Sequence, residues 1–157
     1  MVIMGIDPGS RITGYGLIRR ETDSWSLLGH GCIRTQGAAT FSEKLNQIYS
    51  GLMELVERFR PDAVVVERGF FGKNPRTALA MGQVLGISLL VAARASLPIC
   101  EYSPREIKLA VTGFGSASKE QVQHMVKQLL QVDEDSLAPD ASDALAAALC
   151  HANRVDL

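Results

Sequence analysis

The run Ala63-Val64-Val65-Val66 constrains the fold most, because it is wholly apolar and lies between two long helical patterns. A short strand without alternation of polar and apolar residues is typical of a sheet position that is buried on both faces. Sheets of that kind are covered by helices on both sides. The run therefore predicts an α/β fold with this strand inside the sheet.

Three further strands precede that run, and short turns join them. They cover Val2 to Ile6, Thr13 to Ile18, and Trp25 to Ile33, with polar turns between them. Strands connected this closely pair as an antiparallel meander, because a parallel connection needs a longer crossover. The sequence thus predicts a mixed sheet, antiparallel at one side and parallel at the other.

The helices are marked by their caps and by apolar residues at helical spacing. Thr40 and Glu43 have capping-box spacing, and Pro61 ends the helix that they begin. Asn74-Pro75 opens a second helix that is apolar nearly all round, which predicts a central position or a subunit interface. The remaining predicted elements are a strand from Pro98 to Tyr102, a helix from Arg105 to Val111, a helix capped by Ser118 and Gln121, and a last helix from about Asp140.

The predicted order is β-β-β-α-β-α-β-α-α-α, which gives one domain over residues 1–157 with a five-stranded mixed sheet flanked by helices. With 46% apolar residues, the chain is expected to be globular. We expect no apolar run to be long enough for a membrane span, and no signal pattern is visible, so we expect a cytosolic protein with three reduced, buried cysteines. The net charge of −1 is not that of a typical nucleic-acid binder, so any basic surface must be segregated onto one face.

Four carboxylates stand at positions where burial would be costly without a compensating cation. Asp7 ends the first strand, and Glu67 follows the Val64-Val65-Val66 run, at strand ends where α/β folds place their chemistry. Alternatively, Asp7 is an ordinary turn residue before Pro-Gly, and Glu67 marks the emergence of its strand into water.

Asp140 and Asp143 lie three residues apart, so a helix would present them on one face. Their alternative explanation is local, with Asp140 as the N-cap and Asp143 complementing the helix dipole. Four carboxylates together would repel one another unless cations bind, and an oxygen-only ligand set favours Mg²⁺ or Mn²⁺ over Zn²⁺. Two such ions activate water and stabilise the leaving oxygen in phosphodiester hydrolysis.

The motifs that carry a family resemblance run in order over almost the whole chain. They are Gly5-Ile6-Asp7-Pro8-Gly9-Ser10, Thr13-Gly14-Tyr15-Gly16, the strand ending at Glu67, Lys73-Asn74, Ser116-Ala117-Ser118-Lys119, Gln121-Val122-Gln123 and Asp140-Ala141-Ser142-Asp143-Ala144-Leu145-Ala146. Together they resemble the RuvC family of Holliday-junction resolvases. One departure is Arg68-Gly69, where the family commonly has glutamine after the glutamate, which bears on loop shape and sequence preference.

The resemblance implies an RNase H-like fold and a homodimer that makes paired, symmetric nicks in four-way DNA junctions. It implies that Asp7, Glu67, Asp140 and Asp143 bind Mg²⁺, with two ions expected per active site and Mn²⁺ expected to substitute. It also implies the branch-migration proteins RuvA and RuvB as partners, and no nucleotide cofactor.

The residues expected to contact DNA are aromatic or basic. Phe70 stands in a glycine-flanked loop and matches an aromatic position of the family, where it would stack on an unpaired base. Lys108 and Lys119 match basic positions near the scissile phosphate, and the loop Gly113-x-Gly115 leading into a helix start would contact the DNA backbone. Lys73, Arg76 and Arg11 are weaker candidates. The alternatives are an aromatic anchor in the core and ordinary solvated lysines.

Gly82 and Gly86 lie four residues apart on the apolar second helix, where they predict a dimer contact or, alternatively, packing against the sheet. Two other functions stay open at this point. One is a junction-binding architectural protein without cleavage, and the other is a related RNase H-like nuclease acting on other branched or hybrid nucleic acids. An actin-like ATPase is disfavoured because 157 residues cannot supply its two nucleotide-clamping domains.

Overall fold

Five strands form one mixed sheet in the order β3-β2-β1-β4-β5. In the computed structural model, which describes residues 1–22, 24–68, 74–133 and 136–155, β1 pairs with β2 and β2 with β3 antiparallel, whereas β1–β4 and β4–β5 are parallel. This arrangement confirms the predicted mixed sheet. The strands are β1 (Val2–Asp7), β2 (Ile12–Arg20), β3 (Trp25–Arg34), β4 (Ala63–Glu67) and β5 (Ile99–Tyr102).

The helices occur in the predicted order, and their caps have the predicted chemistry. The Thr40 side chain accepts a hydrogen bond from the Glu43 amide, and the Asn74 side chain accepts two from the first turn of its helix. Ser118 and Gln121 form the expected reciprocal capping box. The helices are α1 (Phe41–Phe59), α2 (Pro75–Arg94), α3 (Pro104–Thr112), α4 (Lys119–Leu130) and α5 (Pro139–Val155).

Each face of the sheet has its own hydrophobic core, because side chains alternate along a strand. Ile3 and Val65 point to the face covered by α3, α4 and α5. Met4, Val64 and Val66 point to the opposite face, which is covered by α1 and α2. β4 is therefore buried on both faces, as its uninterrupted apolar sequence predicts.

α5 lies unusually close to the sheet, because glycines on β1 and β2 face it. A Cβ atom at Gly5 would overlap the carbonyl oxygen of Ala144, and one at Gly14 would overlap that of Asp140. No side chain larger than hydrogen fits at these two strand positions while α5 keeps its place. The uncharged stretch from Ala144 to Cys150 is buried against the sheet, as predicted from its composition.

The structure corrects several local expectations. α5 begins at Pro139, so Asp140 lies within the first turn and is not the N-cap. The expectation of three buried cysteines holds for Cys150 alone, since Cys32 and Cys100 are half-buried. All three are free thiols, as expected.

α2 is the most exposed of the apolar elements. By length and composition alone it could cross a membrane, with a mean hydropathy of 1.5, contrary to the expectation that no segment could. The helix packs on α1 through one side, where Val84, Ser88 and Val91 are buried. Much of its apolar surface faces outward, so the predicted central position is wrong and the subunit interface stays a prediction.

Candidate functional site

Asp7 and Glu67 meet at one edge of the sheet, because β1 and β4 are parallel neighbours that end together. Ile6 is paired with Val66, so the next residue of each strand is a carboxylate. Asp7 alternates with Gly5 and therefore faces α5, and Glu67 alternates with Val65 and faces the same side. Both side chains thus project toward α5 from the carboxyl ends of their strands, where α/β folds place their functional residues.

α5 supplies the other two carboxylates from its first two turns. Gly14, the β2 partner of Asp7, contacts the backbone of Asp140, so the start of α5 lies directly beside Asp7. Asp143 is one turn further along the helix and lines the cleft that also contains Glu67. The structure therefore brings together all four acidic residues that the sequence singled out.

The charges at this site act on one another strongly. Burial, followed by the carboxylates of Asp143, Glu67 and Asp140, raises the pKa of Asp7 to about 7. Burial and the Asp143 carboxylate also raise the pKa of Glu67, whereas Lys119 and Lys108 oppose that rise. The site concentrates more negative charge than its surroundings stabilise, which is the electrostatic condition for binding a cation.

Lys119 provides the nearest positive charge. Its Nζ atom donates a hydrogen bond to Oδ2 of Asp143 at 3.1 Å. The Asp143 side chain is only 18% exposed, whereas that of Lys119 is 75% exposed. The lysine therefore extends from solvent into the site, and this contact raises its own pKa.

A cleft of about 160 Å³ lies between α3, α4 and α5 beside the carboxylates. Two lysines, one from α3 and one from α4, face two carboxylates across it. Such a cleft matches a phosphodiester in size and charge, with cations for the phosphate and acidic groups for a metal-bound water. Its lining consists of Glu67, Pro104, Ile107, Lys108, Lys119, Val122, Asp143 and Ala146.

The donor set fits a hard divalent cation. It offers carboxylate oxygens only, which Mg²⁺ and Mn²⁺ prefer. In the described part of the chain, no three acidic, histidine or cysteine side chains already stand in a coordinating arrangement. Lys119 neutralises one of these charges, that of Asp143.

The predicted DNA contacts differ in their relation to the cleft. Lys108 and Lys119 line it, whereas Arg11 is exposed on the turn after β1 and Arg76 is exposed in the first turn of α2. Phe70 and Lys73 lie outside the described residues. Neither Arg11 nor Arg76 is among the residues that line the cleft.

Sequence reasoning missed two features of the site. The first is that Gly5 and Gly14 allow α5 to lie close to the sheet. Gly5 lies two residues before Asp7, and Gly14 lies two residues before Gly16, a spacing that indicates one face of a strand. The second is Cys32, the β3 partner of Gly14, which lies beside α5. Its thiol accepts a hydrogen bond from the Ala141 amide, and burial followed by the Asp140 carboxylate raises its pKa.

A mixed sheet in this order, with acidic side chains at the ends of its central strands and on the last helix, defines an RNase H-like fold. The family model described as crossover junction endodeoxyribonuclease RuvC matches residues 3–151. The chain belongs to the RuvC family.

Relatives and solved structures agree with that assignment. Crossover junction endodeoxyribonuclease RuvC of Tolumonas auensis is 52% identical over 97% of this chain and 87% of its own length. The enzyme of the same name from Moorella thermoacetica is 49% identical over 98% and 92%. T. thermophilus RuvC in complex with a Holliday junction substrate superposes with a TM-score of 0.92 at 35% identity, covering 99% of this chain and 94% of that one.

A more distant structure shares the fold alone. The yeast mitochondrial Holliday junction resolvase Ydc2 has a TM-score of 0.72 at 17% identity, covering 96% of this chain and 77% of that one.

Proposed function

We propose that this protein is a Holliday-junction resolvase, a DNA endonuclease that makes paired, symmetric nicks across a four-way junction in recombination and repair. The observation that carries the proposal is the convergence of Asp7, Glu67, Asp140 and Asp143 beside a cleft lined by Lys108 and Lys119. A protein that only binds junctions would gain nothing from four carboxylates placed beside DNA phosphates.

The four carboxylates would hold Mg²⁺, two ions per active site, with Mn²⁺ as a substitute. When bound, the ions would supply a nucleophilic water and neutralise charge on the phosphate. The support is the oxygen-only donor set and the raised pKa of Asp7 and Glu67, which a divalent cation would reverse.

Lys119 and Lys108 are proposed to stabilise the negative charge that builds up on the phosphate during hydrolysis. Both reach the cleft from helices that pack against α5 and against each other, which fixes their positions as such a role requires. Lys119 begins α4 and follows the N-cap Ser118, so the positive end of that helix also points toward the cleft.

The remaining DNA contacts are proposed to lie around the loop between β4 and α2. Phe70 would stack on a base that is unpaired at the crossover, and Lys73, Arg76 and Arg11 would bind phosphates. The exposure of Arg76 and Arg11 supports this assignment for those two residues.

We further propose that two copies pair through α2. Leu79, Gln83, Gly86 and Leu90 recur every three or four residues and are exposed, forming one outward stripe that we call the α2 stripe. Gly82, the other glycine of the predicted contact, lies at the edge of this stripe and is half-buried. Gly86 has open space where a Cβ would lie, so another helix could approach closely there. A two-fold dimer would present two active sites to the two strands that must be cut.

The proposed partners and the proposed location rest on family membership. RuvA and RuvB are proposed as partners, and a cytosolic location without membrane association or nucleotide cofactor is proposed with them. Under this proposal the apolar surface of α2 is covered by a second copy of the chain.

The deciding experiment is cleavage of a synthetic mobile four-way junction by wild type and by Asp7→Asn, in Mg²⁺ and in EDTA. Wild type should make symmetric nicks in Mg²⁺ only. The variant should lose cleavage while binding the junction as well as wild type or better, since one negative charge near the phosphates is removed.

Glu57→Gln is the matched control, because it removes one negative charge from the exposed face of α1 and should cleave normally. If wild type binds junctions tightly but never cleaves them, the protein is architectural. Preference for another branched or hybrid substrate would assign it to a related nuclease activity.

A further inference from the structure

Phe114, in the loop between α3 and α4, is the most exposed large apolar side chain of the described residues, with 71% of its surface accessible. An aromatic side chain in water gains nothing for folding, whereas a protein that binds unpaired nucleic acid needs such a surface for base stacking. The proposed nuclease chemistry does not use this residue.

The loop holds Phe114 in a fixed position. The Phe114 amide donates a hydrogen bond to the Thr112 hydroxyl at 3.1 Å, and that hydroxyl donates to the Lys108 carbonyl at 2.8 Å. The Ala117 amide donates to the Phe114 carbonyl at 3.1 Å. Gly113 ends α3 with a φ of 81°, a conformation that turns the chain outward. These hydrogen bonds stabilise the turn, so the ring projects from a fixed position.

Basic side chains lie beside the loop and on the two helices that it joins. The Arg105 side chain packs along the loop, with Cγ 2.9 Å from the position of a Cβ at Gly115. Lys108 and Lys119 lie on the two helices that the loop joins, and both face the cleft. Of the two acidic residues nearest in sequence, Glu106 is paired with Arg154 at 2.9 Å and Glu120 is hydrogen-bonded to Ser118. The loop thus combines an aromatic ring with positive charge, the combination that binds nucleic-acid strands.

A groove of about 200 Å³ opens beside the ring. Its apolar floor and polar rim suit the flat face and polar edge of a nucleobase. Gln121 and His124 lie on the side of α4 opposite Lys119, so the groove is about one helix diameter, about 10 Å, from the cleft. Because α4 lies between them, a strand bound in the cleft would pass around this helix to reach the groove, a path of a few nucleotides. The groove is lined by Thr112, Phe114, Ala117, Gln121, His124 and Met125.

We propose that Phe114 stacks on a base of the junction strand a few nucleotides from the scissile phosphate, as an aromatic contact separate from Phe70. The inference rests on the proposed function, since it takes the cleft as the position of the scissile phosphate. If Phe114 makes this contact, the α3–α4 loop helps to determine which base lies at that position relative to the cut.

The test measures junction binding and base stacking in the Asp7→Asn background, where the DNA stays intact. Phe114→Ala should weaken binding about tenfold, the effect of losing one stacked base. Phe114→Trp should bind at least as tightly as the parent, whereas Phe114→Leu, apolar but not aromatic, should behave like Phe114→Ala. Leu129→Ala, an exposed apolar residue at the far end of α4, should change nothing.

The position of the contact is read from 2-aminopurine placed at successive nucleotides of one strand. The parent should quench its fluorescence most strongly at one position a few nucleotides from the nick site, and Phe114→Ala should abolish that quenching. Unchanged binding and quenching in Phe114→Ala, or full retention of both by Phe114→Leu, would overturn the inference. Failure of the parent itself to bind junctions would instead overturn the proposed function.

Discussion

Asp7 is a carboxylic acid whose surroundings disfavour its charged form, because it is buried beside three other acidic side chains. Its pKa rises from the ordinary value of 3.8 to about 7. Below pH 4 the group is protonated in both folded and unfolded protein and costs nothing. As the pH rises from 4 to 7, the unfolded chain loses this proton first, so the free energy of unfolding falls, and the cost is complete above pH 7.

Asp7→Asn should therefore make the metal-free protein more stable at pH 8. A shift of this size corresponds to at most about 4 kcal/mol, so the melting temperature should rise by up to about 10 °C. At pH 5 the gain should shrink, since the wild-type side chain is then largely protonated when folded. Thermal unfolding in EDTA at the two pH values measures both effects.

Addition of Mg²⁺ at pH 8 should raise the melting temperature of wild type more than that of the variant, because the proposed ligand is missing. Glu57→Gln, which removes an exposed charge, should change little at either pH. A lower melting temperature for Asp7→Asn in EDTA at pH 8 would show that Asp7 is a structural turn residue.

At the scale of single residues, the positions of the acidic residues could be predicted from the sequence better than the contacts around them. Asp7 and Glu67 were recognisable because each follows an apolar strand, and Asp140 and Asp143 because they share a helical face. The contact between Lys119 and Asp143 was not predictable, because it depends on how α4 packs against α5.

α5 holds two of the four carboxylates, and its distance from the sheet is set by glycine. Gly14 contacts the Asp140 backbone, so a larger residue there cannot be relieved by a side-chain rotation. The first turn of α5 would have to move away from Asp7.

Gly14→Ala should destabilise the protein by about 1–3 kcal/mol, the usual cost of overpacking. It should also lower the cleavage rate by about 100-fold, since a shift of about 1 Å disrupts a reacting geometry. Melting temperature and single-turnover cleavage of a four-way junction measure the two effects.

Gly29→Ala is the matched control on β3. Its Cβ would lie 3.4 Å from the Phe59 ring, an ordinary contact, so stability should change by less than about 0.5 kcal/mol and cleavage should be normal. Equal effects of the two substitutions would mean that α5 tolerates displacement.

Most elements could be predicted because their ends carry strong local signals. The capping pairs at Thr40 and Ser118 and the Asn74-Pro75 start were all confirmed. The start of α5 was placed one residue late, because Asp140 resembles a cap when Pro139 is not taken as the first helical residue. The close approach of α5 to β2 was missed, since glycine spacing alone does not say which element fills the space.

For the molecule as a whole, the α2 stripe should determine whether the protein is a dimer. Leu90→Glu places a charge at the C-terminal end of that stripe, where burial against a second copy would desolvate it. We expect wild type to be dimeric and Leu90→Glu to be monomeric at micromolar concentration. Light scattering measures the mass, and the monomer should lose the pairing of nicks on opposite strands.

Leu129→Glu is the control, because Leu129 on α4 and Leu90 are both 48% exposed. It should remain dimeric and cleave normally. A monomeric wild-type protein would contradict the proposed interface, and a dimeric Leu90→Glu would place it on another surface.

The sheet order could be predicted only in part. Short turns specify the β1-β2-β3 meander, but the position of β4 beside β1 depends on a crossover whose geometry the sequence does not encode locally. The family resemblance supplied that information. The exposed apolar face of α2 could be predicted from the sequence. Apolar residues surround most of the helix, whereas packing on one neighbour buries only one side of it.

The carboxylates come from β1, β4 and α5, that is, from the first strand, the middle of the chain and the last helix. During translation, Asp7 leaves the ribosome first, and its acidic partners on α5 follow only near the end of synthesis. A nascent chain that has already formed its meander and α1 therefore still lacks Asp140 and Asp143. Under the proposed function, the cutting activity would appear only after α5 has been made and has docked on the sheet.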